Sequence, residues 1–214
     1  MTVRFAIVPE TGSTSADLLD RLSQGTPVEE GAWLVADRQS AGRGRQGRGW
    51  LDGPGNFMGS TAVRLLPQDP APASLSFVAA LAVYEAVLGL LAAPLALSLK
   101  WPNDVLLDGA KLAGILLERA GDAAVIGIGV NLAWSPELAG RATGHLKTVG
   151  PAPDRDAFAR DLAQSFDREL DRWRQFGLEP VERARDARAV GALRLRLADG
   201  SARVIHAGDV TLEN

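Results

Sequence analysis

At 214 residues with 46% hydrophobic side chains, the chain has the size of one domain, or of one domain with a small appendage, and enough apolar mass for a real core. It has no cysteine, which excludes disulfides and thiolate metal sites and suits a reducing, cytoplasmic setting; with only two histidines, His145 and His206, the composition argues against a histidine-built metal centre or a Ser-His-Asp triad. A net charge of −3 excludes broad electrostatic attraction to nucleic acid, so any dense positive patch is local and needs its own explanation.

The N-terminal apolar run is too short for a secretory signal. Residues 3–8, β-branched and apolar, predict a first strand. Thr11-Gly-Ser-Thr-Ser15 then offers several N-cap hydroxyls before a short helix over 16–23, with Leu18, Leu19 and Leu22 turned inward. A second strand over 32–36 leads into a Gly/Arg-rich loop. A third spans 57–66, a proline-rich connector follows at 67–72, and a long, largely buried helix is expected over 73–91. Residues 78–97 are long enough to span a bilayer, but Glu85 within them and Pro94 near their end favour a buried helix followed by a strand, and no membrane span is expected.

Strands are then expected over 96–101, 105–107, 111–119 and 123–132, with Asp108-Gly109 and Gly121-Asp122 as hairpin turns. Residues 133–153 read as irregular. From 156 to 176 the residues Phe158, Leu162, Phe166, Leu170, Trp173 and Phe176 recur at helical spacing, a pattern that assigns them all to the core. Beyond Gly191, the segments 192–197, 202–206 and 210–212, with a turn at Asp199-Gly200, predict two or three small antiparallel strands. The class is α+β: a mixed, largely antiparallel sheet flanked by helices, divided into residues 1–188 and a small C-terminal β segment, 189–214.

Chemistry concentrates in four strings. Residues 42–50, Gly-Arg-Gly-Arg-Gln-Gly-Arg-Gly-Trp, place three arginines among four glycines, a cationic cradle for a small anion unless they form a plain flexible surface loop. They formally contain GxGxxG. However, Gly49, Gly53, Pro54 and Gly55 follow at once, so no helix can point its N-terminus at a pyrophosphate as a dinucleotide fingerprint requires. Lys100-Trp-Pro-Asn-Asp104 leaves Asn103 and Asp104 at a strand mouth, a pattern that also suits an ordinary turn. Lysine is scarce, with 3 against 20 arginines, and two of the three stand at 100 and 111. Lys111 lies among apolar neighbours in Lys-Leu-Ala-Gly-Ile-Leu-Leu-Glu, where an ammonium group needs an anion to offset desolvation. Gly127-Ile-Gly-Val-Asn131 puts two small residues in a strand, a mark of close approach by a ligand or another backbone. The Ser13-Thr14 hydroxyls are explained equally well as a helix cap. The set points to acyl activation by a nucleotide.

These strings resemble the catalytic domain of biotin protein ligases, whose GRGRxGRxW, KWPND, KLxGIL(x)E and GIGxN patterns stand here as GRGRQGRGW, KWPNDV, KLAGILLE and GIGVN, over about residues 8–190. The resemblance implies a fold like that of class II aminoacyl-tRNA synthetases. It also implies a two-step reaction: biotin and Mg²⁺-assisted ATP give biotinyl-5′-AMP and pyrophosphate, and a lysine of a biotin carboxyl carrier protein then takes the biotinyl group. Under it Ser13, Thr14 and Gln39 hold the ureido end of biotin, Arg43, Gly44 and Arg45 close over the carboxylate and phosphate, and Ser15, Gly42 and Trp50 are further binding positions. Lys111 sits between the carboxylate and the phosphate, with Asn103, Asp104 and Asn131 near nucleotide, metal or amine, and Gly114 and Gly127 complete the walls. Lys111, Arg45 and Asp104 carry the catalytic roles, and no metal ligand is identified.

Three departures follow. No helix-turn-helix segment precedes the matching region, so DNA binding and repression are not expected. Ser15 stands where the family usually has Asn, and the C-terminal β domain reads as shortened. A homodimer is open. The rival readings are a lipoate or octanoate ligase or transferase of related fold and a non-catalytic biotin-binding module.

Overall fold

Along the strands, apolar and small side chains alternate with a period of two, so the sheet has one face that needs a thick cover and one that does not. The computed structural model describes residues 4–91, 97–177, 182–183, 192–196 and 202–207. In chain order its elements are β1 (Arg4–Thr11), α1 (Thr14–Ser23), β2 (Ala32–Gln39), β3 (Phe57–Arg64) and α2 (Leu75–Leu88). There follow β4 (Leu97–Trp101), β5 (Asp104–Leu107), β6 (Ala110–Ala120), β7 (Ala123–Val130) and α3 (Arg155–Phe176), then β8 (Glu182–Arg183), β9 (Ala192–Arg196) and β10 (Ala202–Ala207).

The strand order is β1-β2-β3-β7-β6-β5-β4-β10-β9-β8. Pairing is parallel for β1 with β2 and for β10 with β4, and antiparallel elsewhere, so the sheet is open and mixed as the sequence predicts. Antiparallel pairing of β9 with β10 agrees with the expected tail, while the turn at 199–200 and the strand at 210–212 lie outside the described residues.

One face of the sheet packs on α2 and α3. Trp33, Phe57, Val63, Leu99, Val105, Ile115, Ile126 and Ile128 meet Val78, Ala82 and Val83 of α2 and Phe158, Leu162, Phe166 and Trp173 of α3 in one buried cluster. Trp33 packs edge-on against Phe57 and Phe166. Phe176, assigned to the core by its spacing, is instead 55% exposed, because α3 ends there and Gly177 turns the chain away at φ 69°. α2 is buried on nearly every side and is 14 residues long. Among the described residues, no helix is long and apolar enough to cross a membrane.

The opposite face carries α1, whose Leu18 packs with Leu34 and Val125, flanked by Leu19 and Leu22. α1 begins at Thr14, two residues before the expected start, because Ser13 adopts extended backbone and serves as its cap. α2 starts at Leu75 rather than 73, since Pro72–Ser74 form a separate 3-10 turn. β1 runs on to Thr11 through Pro9, which an edge strand tolerates.

Candidate active site

The α1-bearing face holds two rows of cross-strand neighbours. One runs Lys100, Asp104, Gly114, Gly129, Met58 across β4, β5, β6, β7 and β3. The next runs Leu116, Gly127, Ser60, Leu34 across β6, β7, β3 and β2. Three glycines in these rows lower the floor into a trough. The residues flanking them in sequence, Ala113, Ile115, Ile126, Ile128 and Val130, point into the core.

At one end lies a neutral, hydroxyl- and amide-rich group. Thr14 donates its backbone N–H to Gln39 Oε1 at 2.8 Å and its hydroxyl to the same atom at 3.1 Å. Ser60 Oγ lies 2.7 Å from Thr14 Oγ1 and 3.0 Å from Ser15 Oγ. Ser15 Oγ hangs directly over Gly127, where an added Cβ would come within 2.2 Å of it. Gln39 is held in turn by Asp52, whose carboxylate accepts the Gln39 N–H at 3.1 Å. Ser13 is buried, with its hydroxyl turned to the Ala16 N–H of the cap.

At the other end the charges gather. A β-bulge in β6 brings this about: Val105 pairs with Ala113 and Leu106 with Lys111, leaving Leu112 as the extra residue. Leu112 and Ala113 are therefore both buried in the core, and Lys111 comes onto the Asp104 face, the re-aiming that bulges produce. Its ammonium donates to Asp104 Oδ1 at 2.7 Å, the two side chains 23% and 20% exposed. The anion required by an ammonium among apolar neighbours is thus supplied by the chain itself. Asn103 Nδ2 donates to the same carboxylate oxygen at 3.1 Å. The Lys111 backbone is clamped by residues 142–144, through Lys111 N–H to Ala142 O at 2.8 Å and Gly144 N–H to Lys111 O at 3.0 Å. Asn131 stabilises that clamp by donating to Gly144 O at 3.1 Å, while its own Oδ1 is buried without a partner among the described residues.

The loop over 42–50 is a short hairpin rather than the start of a helix. Trp50 N–H donates to Gly42 O at 2.8 Å and Gly44 N–H to Arg48 O at 2.7 Å, with a turn through Gln46 and Gly47 at φ 58° and 70°. The dinucleotide-fingerprint geometry is therefore absent from this loop. Gly42 must lack a side chain, since a Cβ there would lie 2.5 Å from Trp50 O. The hairpin leans across the sheet: Arg43 pairs with Glu118 at 2.7 Å and Arg45 donates to Asn103 Oδ1 at 2.8 Å. Trp50 lies on the floor between, where a Cβ on Gly129 would sit 2.3 Å from its ring and one on Gly114 2.9 Å. Lys111 Nζ is 5.8 Å from the ring centroid. Gly114 and Gly127 are accordingly small for contacts the chain makes with itself.

Ser60, Asn56, Asp52 and Glu118 were not singled out in the sequence. Asn56 Oδ1 accepts the N–H groups of Leu132, Ala133 and Trp134 at 3.0–3.1 Å, tying the end of the Gly/Arg loop to the segment that clamps Lys111. The available signal was weak: a serine and an asparagine beside an apolar strand. His145 is half-buried and bonds Ser135 Oγ through Nδ1 at 3.1 Å; the His206 side chain lies outside the described residues.

Residues 8–131 match the model of the Biotin/lipoate A/B protein ligase family. A biotin–[acetyl-CoA-carboxylase] ligase of Paracoccus denitrificans is 43% identical over 86% of this chain and 80% of its own length. One from Mycobacterium tuberculosis is 40% identical over 91% and 75%. Among solved structures, biotin protein ligase from Aquifex aeolicus in complex with biotin and ATP is similar with a TM-score of 0.73, covering 94% of this chain and 95% of that one at 24% identity, a likeness of fold.

Proposed function

The chain belongs to the biotin/lipoate A/B protein ligase family, and we propose that its trough activates biotin with ATP and passes the biotinyl group to a lysine of a biotin carboxyl carrier protein. The observation that carries this reading is the polarity of the trough: neutral hydroxyls and an amide at one end, and three cationic side chains, Arg43, Arg45 and Lys111, at the other.

Thr14, Ser15, Gln39 and Ser60 present donors and acceptors without charge, suited to a ureido group, which has N–H donors and a carbonyl acceptor. The apolar body of the ligand lies along the trough against the Trp50 ring that covers Gly114 and Gly129, and its carboxylate reaches the cationic end. There a carboxylate oxygen attacks the α-phosphorus of ATP. The bond from that phosphorus to the bridging oxygen breaks, and pyrophosphate leaves. Lys111 and Arg45 stabilise the charge that builds on the phosphorus-bound oxygens; a preorganised donor of this kind is worth about 3–4 kcal/mol. Lys111 exchanges Asp104 for the reacting oxygens as they arrive, so Asp104 holds the ammonium in place beforehand. The 42–50 hairpin excludes water from the mixed anhydride until the acceptor amine attacks its carbonyl carbon and AMP departs.

Mg²⁺ fits this arrangement. Mg²⁺ is held through one or two carboxylates plus substrate phosphates and water rather than by a protein cage. No cluster of three or more carboxylates or histidines occurs among the described residues, and Asp104 supplies one carboxylate on the right face. When bound it neutralises phosphate charge. The chemistry falls to residues 1–188, with 189–214 an appended β segment.

The test is a mass measurement on a purified carrier domain incubated with biotin, Mg-ATP and this protein. A shift by one biotinyl group, dependent on ATP and not reproduced with lipoate, is expected. No shift, or lipoate in preference to biotin, overturns the reading.

A further inference from the structure

Lys100 is left over by the reaction scheme above, yet it stands on the same floor. It is directly opposite Asp104 in the β4–β5 ladder, and in an antiparallel pair directly opposed residues project from the same face with Cβ atoms about 4.5–5.5 Å apart. Its neighbours in β4 confirm the face: Leu97 and Leu99 point into the core opposite Leu107 and Val105, so Lys100 points away from it. The row Lys100, Asp104, Gly114, Gly129 therefore begins with an ammonium group. Unlike the other cations of the site, it has no partner among the described residues. Lys111 is on Asp104, Arg43 is on Glu118, and Arg45 is on the Asn103 amide. Lys100 is exposed and makes no hydrogen bond or ion pair with any described residue, although a carboxylate lies opposite it.

Adenylation creates a demand for such a group. The leaving pyrophosphate carries more negative charge than the α-phosphate left behind, and Lys111 and Arg45 are occupied at the reacting centre. We propose that Lys100 binds the β- and γ-phosphates of ATP and the departing pyrophosphate at the β4 end of the trough, the opposite end from the Thr14–Ser60 hydroxyls. This rests on the adenylation reading given above and adds to it the side on which the leaving group exits. Lys100 then acts on the first half-reaction alone, since the second involves no pyrophosphate.

The experiment compares wild type with Lys100→Gln and Lys100→Arg in biotin-dependent ATP–pyrophosphate exchange, in biotin binding by calorimetry, and in transfer from preformed biotinyl-5′-AMP to a carrier domain. Losing a charged hydrogen bond predicts that Lys100→Gln raises KM for pyrophosphate and for ATP about ten- to a hundredfold. Lys100→Arg recovers most of that loss, and biotin affinity and transfer from preformed adenylate stay at wild-type values. Unchanged exchange in a folded Lys100→Gln protein overturns the proposal. So does a defect confined to transfer, which would move Lys100 to carrier docking. Absence of exchange in wild type would overturn the adenylation reading first, and this proposal with it.

Discussion

Replacing Gly129 with alanine puts a methyl group where the Trp50 ring already lies. The added Cβ would be 2.3 Å from Cε2, 2.5 Å from Cζ2 and 2.8 Å from Nε1, against 3.4–4 Å for ordinary contact. β7 cannot yield, because β3 and β6 hold it on both sides over its whole length. The ring must move instead. Overpacking of this kind costs about 1–3 kcal/mol, and a displaceable ring puts the stability loss at the low end, a Tm decrease of about 2–4 °C for a chain of this size. The catalytic loss is larger, since the ring covers the floor beside Lys111 and belongs to the residue whose backbone N–H closes the hairpin onto Gly42. Misplacement that removes about 2–3 kcal/mol of transition-state stabilisation slows adenylation about 30- to 150-fold. The assay is biotin-dependent pyrophosphate release, with thermal unfolding in parallel, for Gly129→Ala, Trp50→Ala and the double variant. If the clash is the mechanism, the double variant matches Trp50→Ala alone within about 0.5 kcal/mol. Fully additive losses, or a Gly129→Ala enzyme with normal rate, would refute the reasoning.

Lys111→Ala should abolish adenylate formation while leaving the protein folded; undiminished pyrophosphate release would remove Lys111 from its role. Arg45→Gly cuts the hairpin's link to Asn103, so free adenylate should escape and label bystander lysines, and mass spectrometry showing carrier-only labelling would count against a retaining loop. At the far end of α3, Glu30 accepts both Arg174 nitrogens at 2.6 and 2.9 Å and the Arg64 N–H at 2.8 Å. Burial works to raise the Glu30 carboxyl, but the Arg174 hydrogen bonds, the Arg64 N–H and the two guanidinium charges together outweigh it and hold the carboxyl below its ordinary value of 4.5. A carboxyl lowered in the folded state contributes stability that is full above 4.5 and is lost as pH falls through the folded value. Glu30→Gln should therefore cost about 1–3 kcal/mol in denaturant unfolding at neutral pH, and the difference from wild type should shrink in acid. A difference that grows in acid would contradict the assignment.

Much of this was legible in the sequence because it is local. Asp108-Gly109 adopts φ 48° and 79°, as a two-residue hairpin turn needs, and the α3 pattern and the refusal of a helix after Gly42 follow from residue types alone. What could not be read depends on register. That Lys111 faces Asp104 is set by one extra residue in β6, and nothing in Lys-Leu-Ala-Gly marks Leu112 as that residue. That Ser60 completes the Thr14–Gln39 cluster depends on β3 lying between β2 and β7, a pairing across 46 residues for Thr14. Gly127 and Gly129 were expected to mark close approach by a ligand or another backbone, whereas the groups that approach them are the side chains of Ser15 and Trp50, brought there by register and by the 42–50 hairpin. Phe176 was misassigned because periodicity does not reveal where a helix outruns its core.

The central claim is that Lys111 and Arg45 offset the repulsion between two anionic reactants at one end of a glycine-floored trough. A crystal structure with biotin and a non-hydrolysable ATP analogue tests it most directly. The account predicts biotin's carboxylate and the α-phosphate both within hydrogen-bond distance of Lys111 Nζ, with the ureido group against Thr14 and Ser60. Both ligands bound elsewhere, with the Lys111–Asp104 pair unbroken, would contradict it.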